Sequence, residues 1–282
     1  ATLGKKCANP FGPELQVKPM LAGRLRRRGN MINRELFDKI TQKYGSVASW
    51  AIWDEFGERP KSNMSNIKVL DPDINTNLLQ SINNNVIMVG LNFARPVNFD
   101  IPYMNFHDSN PHANDFKIRY AFNNTIFYGA YMTDVIKNYP EINSKNVEKH
   151  IKENPEIIDK SINEFVEELI FIGSNNPVVF CFGSQTYNLL KIKLEKKYYK
   201  QLVPLIHYSH QISKEKYKLE VLNKITEYLY ESPSKKQLLL NLNKQLEDTI
   251  LIIKNVNIGI DENIETELQL LRENWNKLES KL

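Results

Sequence analysis

The chain has 282 residues, 41% of them hydrophobic and 25% charged, with 37 Lys and Arg against 33 Asp and Glu. That is the composition of a soluble globular protein with one large domain, or a medium domain and an appendage, and no apolar run approaches the roughly 20 residues of a membrane helix. A net charge of +4 is compatible with a polyanionic partner without requiring one; two cysteines, Cys7 and Cys181, exclude a disulfide framework or a four-cysteine cluster and point to a reducing, cytoplasmic setting without a signal peptide.

Residues 1–30 are rich in Pro, Gly and Arg and have no helical or strand period, whereas the later chain is rich in Lys, Asn and Ile. The expectation is a vector-derived segment outside the fold. The alternative is a basic arm that grips phosphates through Arg24, Arg26, Arg27 and Arg28. From Met31 the apolar positions Phe37, Ile40 and Tyr44, then Trp50 and Trp53, predict helix over 33–55. Four apolar, β-branched runs predict strands: 86–92 (VIMVGLN), 124–135 (NTIFYGAYMTDV), 177–184 (PVVFCFGS) and 202–208 (LVPLIHY). Helices are expected between them near 155–171, with Ile158, Ile162, Phe165 and Leu169 on one face, and near 185–196. Alternating strands and helices predict an α/β fold over 31–215: three layers, α/β/α, around a central four-stranded parallel sheet.

Residues 216–282 read as a C-terminal helical extension. Leu239, Leu242, Leu246, Ile250 and Ile253 form one stripe, and Leu268, Leu271, Trp275, Leu278 and Leu282 another, with the turn NVNIGIDEN between them. Such an antiparallel hairpin either packs on the main domain or on itself, or offers a surface for a homodimer or protein partner.

In an open parallel sheet, ligands sit beyond the carboxyl ends of the strands. The first strand delivers Asn92 and Phe93 there, followed by PYMNFHD (102–108); the second delivers Asp134; the third Ser184 at a helix start; the fourth His207, Ser209 and His210. An amide, a carboxylate, small hydroxyls and imidazoles make a polar site with no set of ligands at metal spacing. No cofactor is implied. Each residue also has a plainer role: Asn92 as a turn cap, Phe106 as core, Ser184 as an N-cap, Asp134 as a cap of the next turn, and His107 with Asp108 as a surface pair.

The series VGLNFA, IFYGAYMTD, VVFCFGSQTYNLL and LIHYSHQIS resembles, in matching order, the motifs of the uracil-DNA glycosylase superfamily over about 85–215. The first is closest to the Gly-Leu/Ile-Asn-Pro-Gly motif of the mismatch-specific branch; the last resembles His-Pro-Ser-Pro, with Tyr208 and His210 in place of both prolines. The resemblance implies a monofunctional DNA glycosylase. Asn92 would hold the attacking water, and His207 would donate to the anionic oxygen of the departing base. Phe106 would stack on a flipped base beside Phe93, and Ser184 and Ser209 would grip phosphates. Gln211 and Ile212 would wedge the gap left in the duplex, and His210 would contact phosphate or a base substituent.

Asp134 departs from the pattern, which commonly has Asn there. A carboxylate offers acceptors only, so it favours the amino group of a cytosine-type base over the carbonyl of uracil. Excising ordinary cytosine would destroy a host genome, so the expected substrate is a modified cytosine, such as the hydroxymethylated or glucosylated bases of some phage DNAs, and the expected role is antiviral defence. The alternatives are uracil removal in base excision repair, a catalytically silent DNA-binding protein of the same fold, or an interaction protein working through the 238–282 hairpin. An unrelated doubly wound nucleotide-binding protein is disfavoured, because no Gly-rich phosphate loop follows the first strand.

Overall fold

The computed structural model describes residues 32–55, 59–93 and 101–230, together with 266, 269, 270, 272 and 273. The 1–30 segment with its four arginines, and the leucine stripes of the expected hairpin, lie outside the described residues.

Helix α1 (Arg34–Tyr44) opens on Asn33, whose side-chain oxygen accepts from Leu36 N–H, and buries Phe37, Ile40 and Tyr44. It stops eleven residues short of the expected end at 55. The Gly45–Val47 turn reverses the chain, and Ser49–Trp50 becomes a two-residue strand, β1, with Trp50 paired to Tyr131. The helix-like spacing of Trp50 and Trp53 has a different cause: both indoles are core residues, Trp50 standing edge-on to Tyr131 at 4.9 Å. A short helix, α2 (Leu78–Ser81), precedes the long strand β2 (Asn83–Asn92). Then follow α3 (Phe116–Phe122), β3 (Ala130–Ile136), α4 (Ser144–Glu153), α5 (Pro155–Phe171), β4 (Val178–Phe182), α6 (Ser184–Lys193), β5 (Gln201–Leu205) and α7 (Lys214–Tyr230).

The strands form one sheet in the order β1-β3-β2-β4-β5, parallel except for β1. The sheet therefore has five strands, not the four expected. The aromatic run 124–129 is turn rather than strand, with Tyr128 N–H donating to Thr125 O and the Tyr128 hydroxyl to Trp53 O. At the other edge β5 ends at Leu205, three residues early; Leu205 O takes the last ladder bond, from Gly183 N–H. Leu205 thus faces β4, and its neighbour Pro204 turns its hydrogen-free nitrogen to the open edge.

Side chains of the central strands alternate between two cores. Val86, Met88, Met132, Phe180 and Val203 pack with Ile118 and Phe122 of α3 and with Tyr217, Leu222 and Ile225 of α7. Ile87, Val89, Tyr131, Val135, Val179 and Cys181 pack with Ile40 of α1, Phe165 of α5 and Leu190 of α6. The first part of the expected extension, α7, is therefore seated in a core shared with the sheet.

The polar group at the centre of the second core is Glu168 of α5, fully buried. Its Oε1 accepts from the Tyr131 hydroxyl at 2.7 Å and the Thr133 hydroxyl at 3.0 Å, and its Oε2 lies 2.7 Å from Lys137 Nζ. Lys137 also donates to Asp134 O at 2.6 Å. A buried ion pair is costly to halve, because the surviving charge keeps its desolvation penalty. Glu168→Ala is expected to lower unfolding stability by about 3–5 kcal/mol in urea titrations, well beyond the effect of breaking the exposed Lys152–Glu148 pair.

Candidate active site

Register brings four strand ends to one level. Gly90 of β2 pairs with Asp134 of β3, and Phe182 of β4 pairs with Leu205 of β5. Beyond that level lie Asn92, Ser184 and His207.

Asp134 is the most constrained of these groups. It is 5% exposed, and its Oδ1 lies over β2 so closely that a Cβ on Gly90 would sit 2.1 Å from it. Only glycine leaves room for the carboxyl. Its Oδ2 accepts from Asn105 Nδ2 at 3.1 Å. Burial pushes the Asp134 carboxyl up from 3.8 to about 6; Asn105 and Lys137 oppose the shift, and Glu168 and Asp115 add to it.

Asn105 belongs to the loop 101–108, which crosses the ends of the strands. Two of its aromatic residues, Tyr103 (φ 69) and Phe106 (φ 66), adopt left-handed backbone conformations, which cost bulky residues on the order of 1–3 kcal/mol. The surroundings hold them there. Tyr103 N–H donates to Gly45 O, its carbonyl accepts from Ser49 Oγ at 2.9 Å, and Phe106 O accepts from Trp53 Nε1 at 3.4 Å. The strained loop delivers Asn105 to Asp134 and packs the Phe106 ring in the first core, 6.4 Å from Tyr208. His107 is not a surface partner of Asp108. It is fully buried, 5.2 Å from the Trp53 ring with Nε2 3.3 Å from Trp50 O, and burial lowers its pKa to about 4. Asp108 Oδ1 instead accepts from Asn110 N–H in a local turn.

His207 follows β5 and rests on Gly183, whose positive φ of 88 opens α6. Ser209 N–H donates to His207 Nδ1 at 3.2 Å, and the Ser209 hydroxyl lies 2.8 Å from the same atom. An Nδ1 that accepts a backbone N–H carries no proton, so the neutral ring holds its hydrogen on Nε2. Desolvation lowers the His207 pKa to about 4 and keeps it neutral. Tyr208 stacks on the imidazole at 4.4 Å and meets Phe182 edge-on at 5.3 Å.

Asn92 donates through Nδ2 to Glu141 O at 2.8 Å, Phe93 O at 3.3 Å and Tyr139 O at 3.4 Å. It fastens the loop after β3, where Tyr139 also stacks on His150 at 3.7 Å. The turn after β2 that Asn92 is expected to cap runs into residues outside the described ones; the three carbonyls fix the amide so that Oδ1 points away from them. Phe93 is buried, its N–H bonded to Ile136 O.

The expected phosphate contacts share this end of the sheet. Ser184 is exposed in the first turn of α6, and Ser209, His210 and Gln211 are exposed in the loop after β5, while Ile212 packs partly against the first core. Lys117 Nζ, from α3, donates to His210 O at 2.8 Å and anchors this loop. Asn105 and Lys117 are not among the residues the sequence singles out, and Gly90 enters there only as the glycine of VGLNFA. Asn105 alone had a signal, its place beside Phe106. Among the described residues no cluster of His, Cys, Asp or Glu is placed to hold a metal, and no helix is long and apolar enough to cross a membrane.

No protein-family model, curated protein or solved structure matches this chain.

Two predictions follow from the carboxyl. Gly90→Ala is expected to destabilise the fold by about 1–3 kcal/mol through overpacking, and to be close to neutral in an Asp134→Ala background, as a double-mutant cycle would read. Because the folded Asp134 holds its proton more tightly than the unfolded chain does, its contribution to stability is fullest below pH 3.8 and is lost as pH rises through about 6. Asp134→Asn is expected to remove that decline from unfolding curves taken between pH 4 and pH 7.

Proposed function

We propose that this protein is a monofunctional DNA glycosylase that releases a non-standard base, of modified-cytosine type, and leaves an abasic site. The observation that carries the reading is His207, a neutral imidazole with its proton on Nε2, standing beyond the last strand at the same end of the sheet as Asn92 and Asp134. A neutral donor of this kind suits a departing base whose oxygen gains negative charge as the C1′–N bond breaks. An imidazolium would hand its proton over and lose the charge complementarity.

In this reading the bonding pair of the glycosidic bond leaves with the base, and His207 Nε2–H donates to the anionic oxygen. A water held at Asn92 Oδ1 adds to the sugar C1′ and gives up its proton, the base takes one from solvent, and the products are the free base and an abasic sugar. An amide is a poor base, which suffices when the leaving group has largely departed before attack. Asp134 reads the amino edge of the base, and Ser184, Ser209 and His210 meet the flanking phosphates; Phe106 and Phe93, both buried, support the site from within rather than stacking on the base. Gln211 and Ile212 fill the space vacated in the duplex. The order of motifs that resembles the uracil-DNA glycosylase superfamily supports the same reading, as does a mostly parallel sheet with the polar groups at its carboxyl end. Glucosylated or hydroxymethylated cytosine of phage DNA is the substrate class that Asp134 favours, and defence against such DNA is the corresponding role.

One observation favours a second reading. The Asn92 amide nitrogen is committed to the carbonyls after β3, a structural use that a catalytically silent DNA-binding protein would also retain.

The two are separated by cleaving abasic sites in oligonucleotides that carry 5-hydroxymethylcytosine, its glucosylated form or uracil. His207→Ala is expected to lower base release by about 10²–10³-fold with DNA binding kept. Unchanged release in the variant would overturn the role of His207, and release from uracil DNA only would overturn the modified-cytosine assignment; no release from any substrate with binding intact selects the silent protein.

A further inference from the structure

We infer that Asn105 is the positioning residue for base selection: by holding Oδ2 of Asp134, it leaves Oδ1, seated over the strand bared at Gly90, as a fixed acceptor for an exocyclic amino group. The inference rests on the glycosylase reading of the site and deepens it.

Three observations meet here. Asn105 Nδ2 has two hydrogens and two acceptors: Val47 O at 2.9 Å and Asp134 Oδ2 at 3.1 Å. Both neighbours are acceptors, so the amide cannot be flipped without setting oxygen against oxygen. The Val47 carbonyl belongs to the turn that leads into β1, so Asn105 ties the antiparallel edge of the sheet to the carboxyl end of β3. Gly90 supplies the third constraint, since Oδ1 occupies the space a Cβ would need. A carboxyl free to rotate presents either oxygen to a base, and on protonation it turns its O–H toward a carbonyl as readily as it accepts from an amine. With Oδ2 engaged and Oδ1 seated over Gly90, that freedom is lost. A base bound with its amino group toward Oδ1 is accepted; the same base with a carbonyl there meets a lone pair against a lone pair.

The charges around the carboxyl come from every element that packs on it. Lys137 and the Asn105 amide favour its ionised form, and Glu168 and Asp115 oppose it. Removing Asn105 therefore favours the protonated carboxyl, which no longer discriminates. A purely structural role, through the Val47 bond, would not move an ionisation.

The test uses the full chain and oligonucleotides carrying a single 5-hydroxymethylcytosine or 5-hydroxymethyluracil, whose position-4 groups are amino and carbonyl. Base release and equilibrium binding are both measured from pH 5 to pH 8. The wild type is expected to favour 5-hydroxymethylcytosine by about tenfold or more, with an acid limb near pH 6. In Asn105→Ala the preference should fall to within about threefold, and the acid limb should move to higher pH. Asp134→Asn, which keeps the shape and restores a donor, should shift the preference toward 5-hydroxymethyluracil and remove the acid limb, whether or not Asn105→Ala folds. Release in which Asn105→Ala keeps both the preference and the limb overturns the inference and leaves the enzyme reading standing. So does an unaltered preference in Asp134→Asn. Absent release, with wild-type binding that favours 5-hydroxymethylcytosine and is lost in Asn105→Ala, supports the inference and overturns the enzyme reading. Absence of both release and preference overturns both.

Discussion

The buried carboxylate of Glu168 is the interaction on which the functional end of the sheet depends. It collects the hydroxyls of Tyr131 and Thr133 and the ammonium of Lys137 in a core otherwise made of aliphatic and aromatic side chains. Each of those three groups lies on β3 or immediately after it. An apolar core would hold β3 against α5 equally well but would not fix where along the strand the contact is made. Hydrogen bonds with defined partners do, because a slip of one residue would leave a carboxylate unpaired in a dry interior. The register of β3 against β2 is thereby anchored from behind. Gly90 and Asp134 face each other because Thr133 and Lys137, on the other side, are already committed.

A hierarchy follows from that anchor. Lys137 reaches from Glu168 to the carbonyl of Asp134 and sets the direction in which the chain leaves the sheet. The loop that follows is closed by Asn92 and by the stack of Tyr139 on His150. On the opposite face of β3 the Asp134 carboxyl is met by a loop whose two left-handed aromatic residues are held by Gly45, Ser49 and Trp53. Strain of this kind persists only where the surroundings over-determine it, and here it is stored two residues before and one residue after the side chain that contacts Asp134. The imidazole of His207 is fixed differently, by a backbone N–H two residues on. Its tautomer therefore depends on a local turn and not on the long-range network.

Much of the sheet was legible in the sequence because buried parallel strands are continuous apolar runs, and VIMVG and VVFCF leave little choice. The helices between them were legible for the same reason, with α5 matching the expected 155–171 at both ends. What failed shares a cause. Trp50 and Trp53 repeat at a helical interval, and 124–129 is aromatic and β-branched, yet both segments are loops or edges whose large side chains fill the core from outside regular structure. Apolar content reports burial, and period reports geometry only when the segment is long. At the candidate site, strand ends could be named from the sequence, so the placement of Asn92, Asp134, Ser184 and His207 at the carboxyl end of the sheet was legible. The contacts of Asn105 and Lys117 were not legible there, because their partners lie 29 and 93 residues away.

Pro204 sits in the outermost strand with its missing hydrogen on the unpaired side. The opposite border is a strand of two residues. Among the described residues, a sheet bounded in this way offers a neighbouring chain little ladder to continue: one margin lacks a donor at Pro204, and the other is too short to register. Crowding many copies together should therefore not nucleate cross-strand polymers, and assembly, where it happens, is left to side chains rather than to the backbone.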